Sequence, residues 1–129
     1  MLDTRYHRPA SLAEATALFS GAAEARYLSG GQTLIPTMKQ RLASPSDLID
    51  ISGLAELKGV TVDEHAITIG ATTTHAAVAN SQAVRAAIPA LAALAGSIGD
   101  PAVRHRGTIG GSLANNDPAP DCPAVVSAL

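Results

Sequence analysis

The pattern of hydrophobic and polar positions in the first part of the chain predicts the order helix, strand, helix, strand. Ser11 and Glu14 have the spacing of a capping box, and the apolar residues that follow recur at helical intervals. Pro36 suits the first turn of the second helix. The four predicted elements are residues 12–19, 25–28, 36–42 and 48–51, and Ser20-Gly21 is predicted to stop the first helix. This order is typical of an α/β unit with a right-handed crossover.

The pattern changes after residue 52. Weak alternation over residues 57–62, a polar turn and a strand at 66–71 predict an antiparallel hairpin. Thr72 to Thr74 can cap a short helix through residue 78, and Ser81 can cap another through residue 87. Pro89 then opens a longer helix with an apolar face formed by Leu91, Leu94, Ala95 and Ile98. We therefore expect a small N-terminal α/β subdomain over residues 1–52 and a mixed α+β subdomain over residues 53–129.

Two short segments combine glycine with hydroxyl side chains. The first glycine segment, residues 29–33, is Ser-Gly-Gly-Gln-Thr, and the second glycine segment, residues 108–112, is Thr-Ile-Gly-Gly-Ser. Backbone without side chains can approach a phosphate closely, and consecutive N–H groups can form an anion-binding concavity. One Gly-Gly pair alone is more often a structural turn, but two such loops suit a ligand with two phosphates. Neither segment matches the G-x-G-x-x-G or G-x-x-x-x-G-K-[ST] motif of common nucleotide sites.

Composition narrows the functional classes. With 129 residues the chain can form a real core, and at 47 % hydrophobic but 2 % aromatic residues that core must consist of Ala, Leu, Val and Ile. A net charge of −2 without a basic run argues against nucleic acid as a partner. No transmembrane segment or signal peptide is evident, which predicts a cytoplasmic protein. Cys122 is the single cysteine, so this chain cannot hold an all-cysteine iron–sulfur cluster, and the histidines lack metal-ligand spacing.

The last residues predict a helix that stops early. Asp121 can cap a helix whose first turn contains Pro123, and the chain ends about two turns later. We therefore expect the sequence to be the front part of a longer protein, with the second subdomain incomplete. Apolar surface left uncovered in this way favours self-association of the truncated chain.

The residues around the glycine segments complete a family pattern. Arg104-x-Arg106-Gly107 precedes the second segment, and Asp117-Pro118-Ala119-Pro120-Asp121 follows it. Together with Tyr6-His7-Arg8-Pro9 and the strand at residues 48–51, the pattern resembles the FAD-binding medium subunits of molybdenum hydroxylases, such as aerobic carbon monoxide dehydrogenase. It is similar to the FAD domain of xanthine dehydrogenase as well. The resemblance implies an α+β fold of the vanillyl-alcohol-oxidase/PCMH type.

The resemblance also implies which residues contact FAD. Amides of the first segment would contact the pyrophosphate, Thr108 and Ser112 would be side-chain donors, and Asp121 would lie near the adenosine half, unless it is only a helix cap. We expect positive φ at Gly110 and Gly111, and we interpret His75 only as a helix-capping residue. The complete implied set is Ser29, Gly30, Gly31, Gln32, Thr33, Thr108, Ile109, Gly110, Gly111, Ser112 and Asp121. No residue is expected to be catalytic, because the cofactor carries the chemistry.

The function implied by the resemblance is electron transfer within a heteromeric complex. FAD would take electrons from the iron–sulfur clusters of a small subunit and pass them to NAD⁺, a quinone or oxygen. The substrate would be oxidised in a large subunit that holds molybdopterin. Two alternatives stay open: a fold-only interaction module that binds no flavin because the chain is truncated, and a stand-alone flavin oxidoreductase.

Overall fold

The computed structural model describes residues 3–116 and 126–127. The chain divides into two compact units, Met1–Ala55 and Glu56–Leu129. The first unit contains a parallel sheet with helices, and the second contains an antiparallel hairpin followed by short helices. This content confirms the α+β class. The functional subdomains 1–52 and 53–129 remain a prediction.

The sheet of the first unit has three parallel strands in the order β1-β3-β2. These are β1 (Arg5–His7), β2 (Ala25–Leu28) and β3 (Asp47–Asp50). The central strand β3 is buried along its whole length, as expected for a parallel strand covered on both sides. Strand β1 was not predicted, because its residues carry no apolar alternation.

Asp47 begins the central strand with a network of polar contacts. Its carboxylate accepts a hydrogen bond from Ser46 Oγ at 2.6 Å and lies 2.7 Å from His7 Nε2 and 3.1 Å from Arg5 Nε. The hydrogen bond from Ser46, followed by the one from His7, lowers the pKa of Asp47 to about 2. The carboxylate therefore stays ionised at the start of a buried strand, with its charge satisfied.

Helix α1 (Leu12–Gly21) begins where the capping box predicts. Ser11 Oγ accepts a hydrogen bond from Glu14 N at 3.1 Å, and Glu14 Oε2 accepts one from Ala10 N at 2.9 Å. Ala15 is its one fully buried residue among those described. The ring of Phe19 stacks on that of Tyr27 in strand β2, with centroids 4.6 Å apart, so the apolar end of the helix packs on the sheet edge.

Helix α2 (Leu34–Lys39) follows the first glycine segment. The prediction that it continues to Leu42 is wrong. Arg41 adopts a left-handed backbone with φ 59°, and the amides of Arg41 and Leu42 donate to the carbonyls of Met38 and Thr37, each at 3.0 Å. These bonds form a Schellman motif, which ends a helix. The stop was not visible in the sequence because arginine stands where glycine is usual.

A 3₁₀ turn at Ala55–Leu57 comes before the predicted hairpin of β4 (Val60–Val62) and β5 (Ile67–Ile69) in the second unit. Asp63 shapes the connection, because its Oδ1 accepts from the amides of His65 and Ala66 at 2.7 and 2.8 Å. The predicted polar turn between the two strands is therefore held by hydrogen bonds to the carboxylate of Asp63.

Five short helices follow within the described residues: α3 (His75–Asn80), α4 (Gln82–Ala87), α5 (Pro89–Ser97), α6 (Pro101–Arg104) and α7 (Ile109–Asn115). Of the predicted caps Thr72 to Thr74, Thr74 is the one that accepts a hydrogen bond from Ala77 N, and the predicted cap Ser81 is confirmed because it accepts one from Val84 N. The core of this unit consists of Val78, Val84, Leu91, Ala92, Ala95 and Ile109. It is aliphatic throughout, as the composition requires.

Two of these helices differ from the prediction. Helix α6 is new, and Asp100 caps it through a 2.9 Å hydrogen bond from Val103 N. Helix α7 replaces the predicted second loop. Of the helix expected after Asp121, the structure describes Val126 and Ser127, which are helical. Within the described residues, no helix is long and apolar enough to cross a membrane.

Candidate functional site

The first glycine segment lies at the carboxyl end of strand β2 and leads into helix α2. This is the edge of a parallel sheet at which ligands commonly bind. Gly31 has φ 73°, and a Cβ at this position would lie 3.1 Å from Ile35 Cγ1 and 3.3 Å from Leu28 Cδ1. Glycine is therefore required here for its backbone conformation, and the close packing leaves little room for a side chain.

The backbone amides of residues 30–33 are the candidate anion-binding groups of the first unit. Among the described residues, the amides of Gly30, Gly31, Gln32 and Thr33 have no hydrogen-bond acceptor. The carbonyl of Gly31 accepts a hydrogen bond from Ile35 N at 3.2 Å, which holds the turn to the start of helix α2. Consecutive unpaired N–H groups in a turn with one left-handed residue can bind an anion such as phosphate.

Asp50 fixes the strand end beside this segment. Its Oδ1 accepts from Ser52 N at 2.9 Å and Ser52 Oγ at 2.6 Å, and its Oδ2 accepts from the hydroxyl of Tyr6. Burial raises the pKa of Asp50, but the hydrogen bonds from Ser52 and Tyr6 outweigh it, and the pKa is below its usual value. The next amide, Ile51 N, donates to Leu28 O at 2.9 Å and so anchors the residue before the glycine segment.

The second glycine segment is the first turn of helix α7. Thr108 is its N-cap, and Thr108 Oγ1 accepts from Gly111 N at 3.1 Å. The expectation of positive φ at Gly110 and Gly111 is wrong, because both residues are helical and the glycines with positive φ within the described part are Gly31, Gly59 and Gly99.

The amides of this first helical turn are already used by the protein. Ile109 N donates to Thr73 O at 3.0 Å, and Gly110 N donates to Ala71 O at 2.9 Å. The same two backbone segments, residues 71–75 and 107–110, are also joined in the opposite direction, because His75 N donates to Gly107 O at 3.0 Å. A short antiparallel bridge thus joins the two N-caps Thr74 and Thr108. An anion at this segment would have to bind to side chains, because these amides have acceptors in the protein.

The glycines of the second segment are needed for packing. A Cβ on Gly110 would lie 2.5 Å from Ala71 O and 2.7 Å from Ala71 Cβ. A Cβ on Gly111 would lie 2.8 Å from the capping oxygen of Thr108. Real Cβ atoms do not come this close, so glycine lets helix α7 approach the backbone that precedes helix α3.

Ser112 contacts a residue whose role was not predicted. Its Oγ lies 3.0 Å from Nε2 of His75, and the His75 side chain is buried. Burial lowers the pKa of His75, so the ring is neutral near pH 7. The cap of helix α3 is Thr74 rather than His75, and no sequence signal links positions 75 and 112, since they meet only through tertiary packing.

The remaining predicted site residues are placed as follows. Gln32 and Thr33 are exposed, and Gln32 Nε2 donates to Gly30 O at 3.3 Å. Asp121 lies outside the described residues. A surface cavity of about 550 Å³ in the second unit contains no residue of the second glycine segment; its lining includes several alanines together with Arg85 and Arg104.

Several known proteins are similar to this chain in sequence and in fold. A family model described as "FAD binding domain in molybdopterin dehydrogenase" matches residues 2–129. The carbon monoxide dehydrogenase medium chain of Afipia carboxidovorans is 43 % identical over 125 residues, which are 96 % of this chain and 43 % of the relative. The chain therefore spans less than half the length of this relative.

Solved structures agree with the sequence comparison. A crystal structure of the Cu,Mo-containing CO dehydrogenase matches with a TM-score of 0.94 and 41 % identity, over 100 % of this chain and 46 % of that one. Quinoline 2-oxidoreductase from Pseudomonas putida 86 matches with a TM-score of 0.95 and 33 % identity, over 99 % of this chain and 45 % of that one. The chain belongs to the family of FAD-binding domains found in molybdopterin dehydrogenases.

Proposed function

We propose that this chain holds FAD in a molybdenum hydroxylase of the carbon monoxide dehydrogenase type, as its electron-transfer medium subunit. Its partners would be an iron–sulfur small subunit and a molybdopterin large subunit, in a cytoplasmic complex. Bound flavin would supply the redox chemistry, passing electrons from the iron–sulfur clusters to an acceptor. The observation that carries the proposal is the row of amides at Gly30, Gly31, Gln32 and Thr33, which have no acceptor within the part of the chain that the structure describes and suit the phosphates of FAD.

The two glycine segments would contribute differently to FAD binding. Residues 29–33 would donate backbone N–H groups to the pyrophosphate. The second segment would act through the hydroxyls of Thr108 and Ser112, while Ile109, Gly110 and Gly111 hold these side chains at the start of helix α7. Asp121 would contact the adenosine half. The protein groups orient the cofactor and supply no acid or base.

The first test is FAD binding by wild-type protein and two glycine variants. Gly31 and Gly59 both have positive φ, so alanine strains the backbone at either position, but only Gly31 is in a glycine segment. We expect Gly31→Ala to raise the Kd for FAD about tenfold, comparable to the loss of one hydrogen bond to a charged group. Gly59→Ala should leave the Kd unchanged, although both variants lose stability. Equal Kd values for Gly31→Ala and wild type would contradict the proposed contact.

A second test concerns how FAD is attached and which chains accompany it. Heat or acid should release intact FAD, because the proposed contacts are hydrogen bonds. Affinity purification from the native host should bring down an iron–sulfur chain and a molybdopterin chain. Recovery of the flavoprotein without them would favour the stand-alone oxidoreductase, and folded protein that takes up no flavin would favour the fold-only module.

A further inference from the structure

The contact between His75 and Ser112 joins two helices at the second glycine segment. His75 is the first residue of helix α3, and Ser112 lies in the first turns of helix α7. The distance between His75 Nε2 and Ser112 Oγ is 3.0 Å, within hydrogen-bonding range. The His75 side chain is only 3 % exposed, whereas Ser112 is half-buried. Ser112 therefore lies between a buried ring and the protein surface.

The surrounding backbone holds the ring of His75 in place. Gly107 packs on its edge, and a Cβ at Gly107 would lie 3.1 Å from His75 Cδ2 and 3.5 Å from Nε2. The amide of His75 donates to Gly107 O at 3.0 Å, so backbone and ring of the histidine contact the same residue. A ring packed in this way has few alternative orientations, which makes Nε2 a fixed partner for Ser112.

The direction of this hydrogen bond matters for anion binding. A serine hydroxyl has one proton to donate, and a phosphate oxygen can only accept. If Ser112 donated its proton to the ring, it could not donate to a phosphate. If Nε2–H donates to Ser112 Oγ, the hydroxyl proton is left to point toward the ligand. The ring can donate in this way as the neutral Nε2–H tautomer.

We propose that His75 is a positioning residue for FAD: its Nε2–H donates to Ser112 Oγ and directs the hydroxyl proton of Ser112 toward a phosphate of the cofactor. This inference rests on the proposed role of Ser112 in FAD binding. Burial of His75 keeps the ring neutral, so it places a hydrogen-bond donor here without adding a buried charge. His75 itself does not contact the cofactor.

A double-mutant cycle on the FAD affinity of the purified protein tests this role. We expect Ser112→Ala and His75→Leu each to raise the Kd for FAD about tenfold, as expected for a hydrogen bond to a charged group. Combined, they should raise it no further, because His75 acts only through Ser112. His75→Gln should keep a near wild-type Kd, because the amide nitrogen of glutamine can replace Nε2–H as donor. Thermal unfolding of each apoprotein checks that the variants fold.

The outcomes separate this inference from the proposed function. If Ser112→Ala leaves the Kd unchanged, Ser112 does not contact FAD. The proposed contact of Ser112 with FAD and the positioning role of His75 then both fail. If Ser112→Ala weakens binding but His75→Leu does not, only the positioning role is overturned. An equal loss from His75→Leu in the presence and absence of Ser112 would show a general structural role instead. ¹⁵N NMR of the ring gives an independent readout, and a protonated Nδ1 with bare Nε2 would overturn the proposal.

Discussion

Glycine residues in the two segments have different physical roles. Gly31 is required because its backbone is left-handed, and in the turn that it forms the amides of residues 30–33 have no acceptor among residues 3–116 and 126–127. Gly110 is helical, and it is required because the Ala71 carbonyl lies where a Cβ would be. Gly110 would therefore affect FAD only indirectly, by allowing helix α7 to take the position that carries Ser112.

Gly110→Ala should lower the stability of the protein. The new Cβ would lie 2.5 Å from Ala71 O, and relieving this contact requires the helix to move, at a cost of about 1–3 kcal/mol in unfolding free energy. Gly21→Ala is the matched control, because no atom lies within 4 Å of its added Cβ. Urea denaturation of both variants measures the difference. A Gly110→Ala protein with unchanged stability but weaker FAD binding would favour a direct phosphate contact instead.

Asp47 should make stability depend on pH in the acid range. Its pKa is about 2 in the folded protein against a usual value of 3.8, so the folded state favours the carboxylate. The stabilisation is complete above pH 3.8 and is lost as the pH falls through 2. Unfolding free energies of wild type and Asp47→Asn should therefore differ at pH 5 and converge toward pH 2. A difference that stays constant over this range would show that the ionic contacts of Asp47 do not contribute.

Among the helices and strands, the features that depend on neighbouring residues, such as the helix N-caps, were predicted from the sequence. Ser11, Thr74 and Ser81 each cap a helix by accepting a hydrogen bond from the amide three residues later. The caps Ser11 and Ser81 were predicted individually, and Thr74 is one of three adjacent threonines predicted to cap helix α3. Strand β1 was missed because its short polar sequence forms a strand only by pairing with β3. Helix α6 was missed because four residues show no helical period.

The second glycine segment was predicted as a loop, but it forms the first turn of helix α7. Two adjacent glycines disfavour a helix by about 1 kcal/mol each relative to alanine, so a loop was the better local prediction. The helix forms because the amides of Ile109 and Gly110 gain acceptors at Thr73 and Ala71, which are distant in sequence. The motifs predict where the candidate site lies, and that location stays a prediction. They do not indicate that the amides of Ile109 and Gly110 donate within the protein, because the acceptors come from residues distant in sequence.

Arg41→Gly should stabilise the protein, because arginine occupies the left-handed position that ends helix α2. A residue with a side chain destabilises the folded protein by about 1–2 kcal/mol in this conformation, and glycine removes that cost. Part of the gain in stability is offset because glycine has more conformational freedom in the unfolded chain. With φ 59° at Arg41, we expect a gain of about 0.5–1 kcal/mol. Lys39→Gly, in the last helical turn, should instead destabilise. Denaturant midpoints of the two variants should move in opposite directions; a shift in the same direction would contradict this account.

At the scale of the whole molecule, each unit carries one glycine segment, and the two differ in how their amides are used. In the first, amides 30–33 have no acceptor among the described residues. In the second, amides 109–111 are bonded within the protein. A ligand that binds only the folded state stabilises it by mass action, by about 2.7 kcal/mol at a concentration of 100 Kd. Hydrogen exchange shows where that ligand makes contact.

FAD should therefore change hydrogen exchange unequally at the two segments. Without FAD, amides 30–33 should exchange rapidly and amides 109–111 slowly, because within the described part of the chain only the latter have acceptors. Saturating FAD should slow exchange strongly at 30–33 through new bonds to the phosphates, and only slightly at 109–111. Exchange at residues 63–66, a turn with no proposed contact, gives the baseline. Protection that appears at 109–111 but not at 30–33 would show that the phosphates bind to the helix α7 amides, and that these give up their present acceptors.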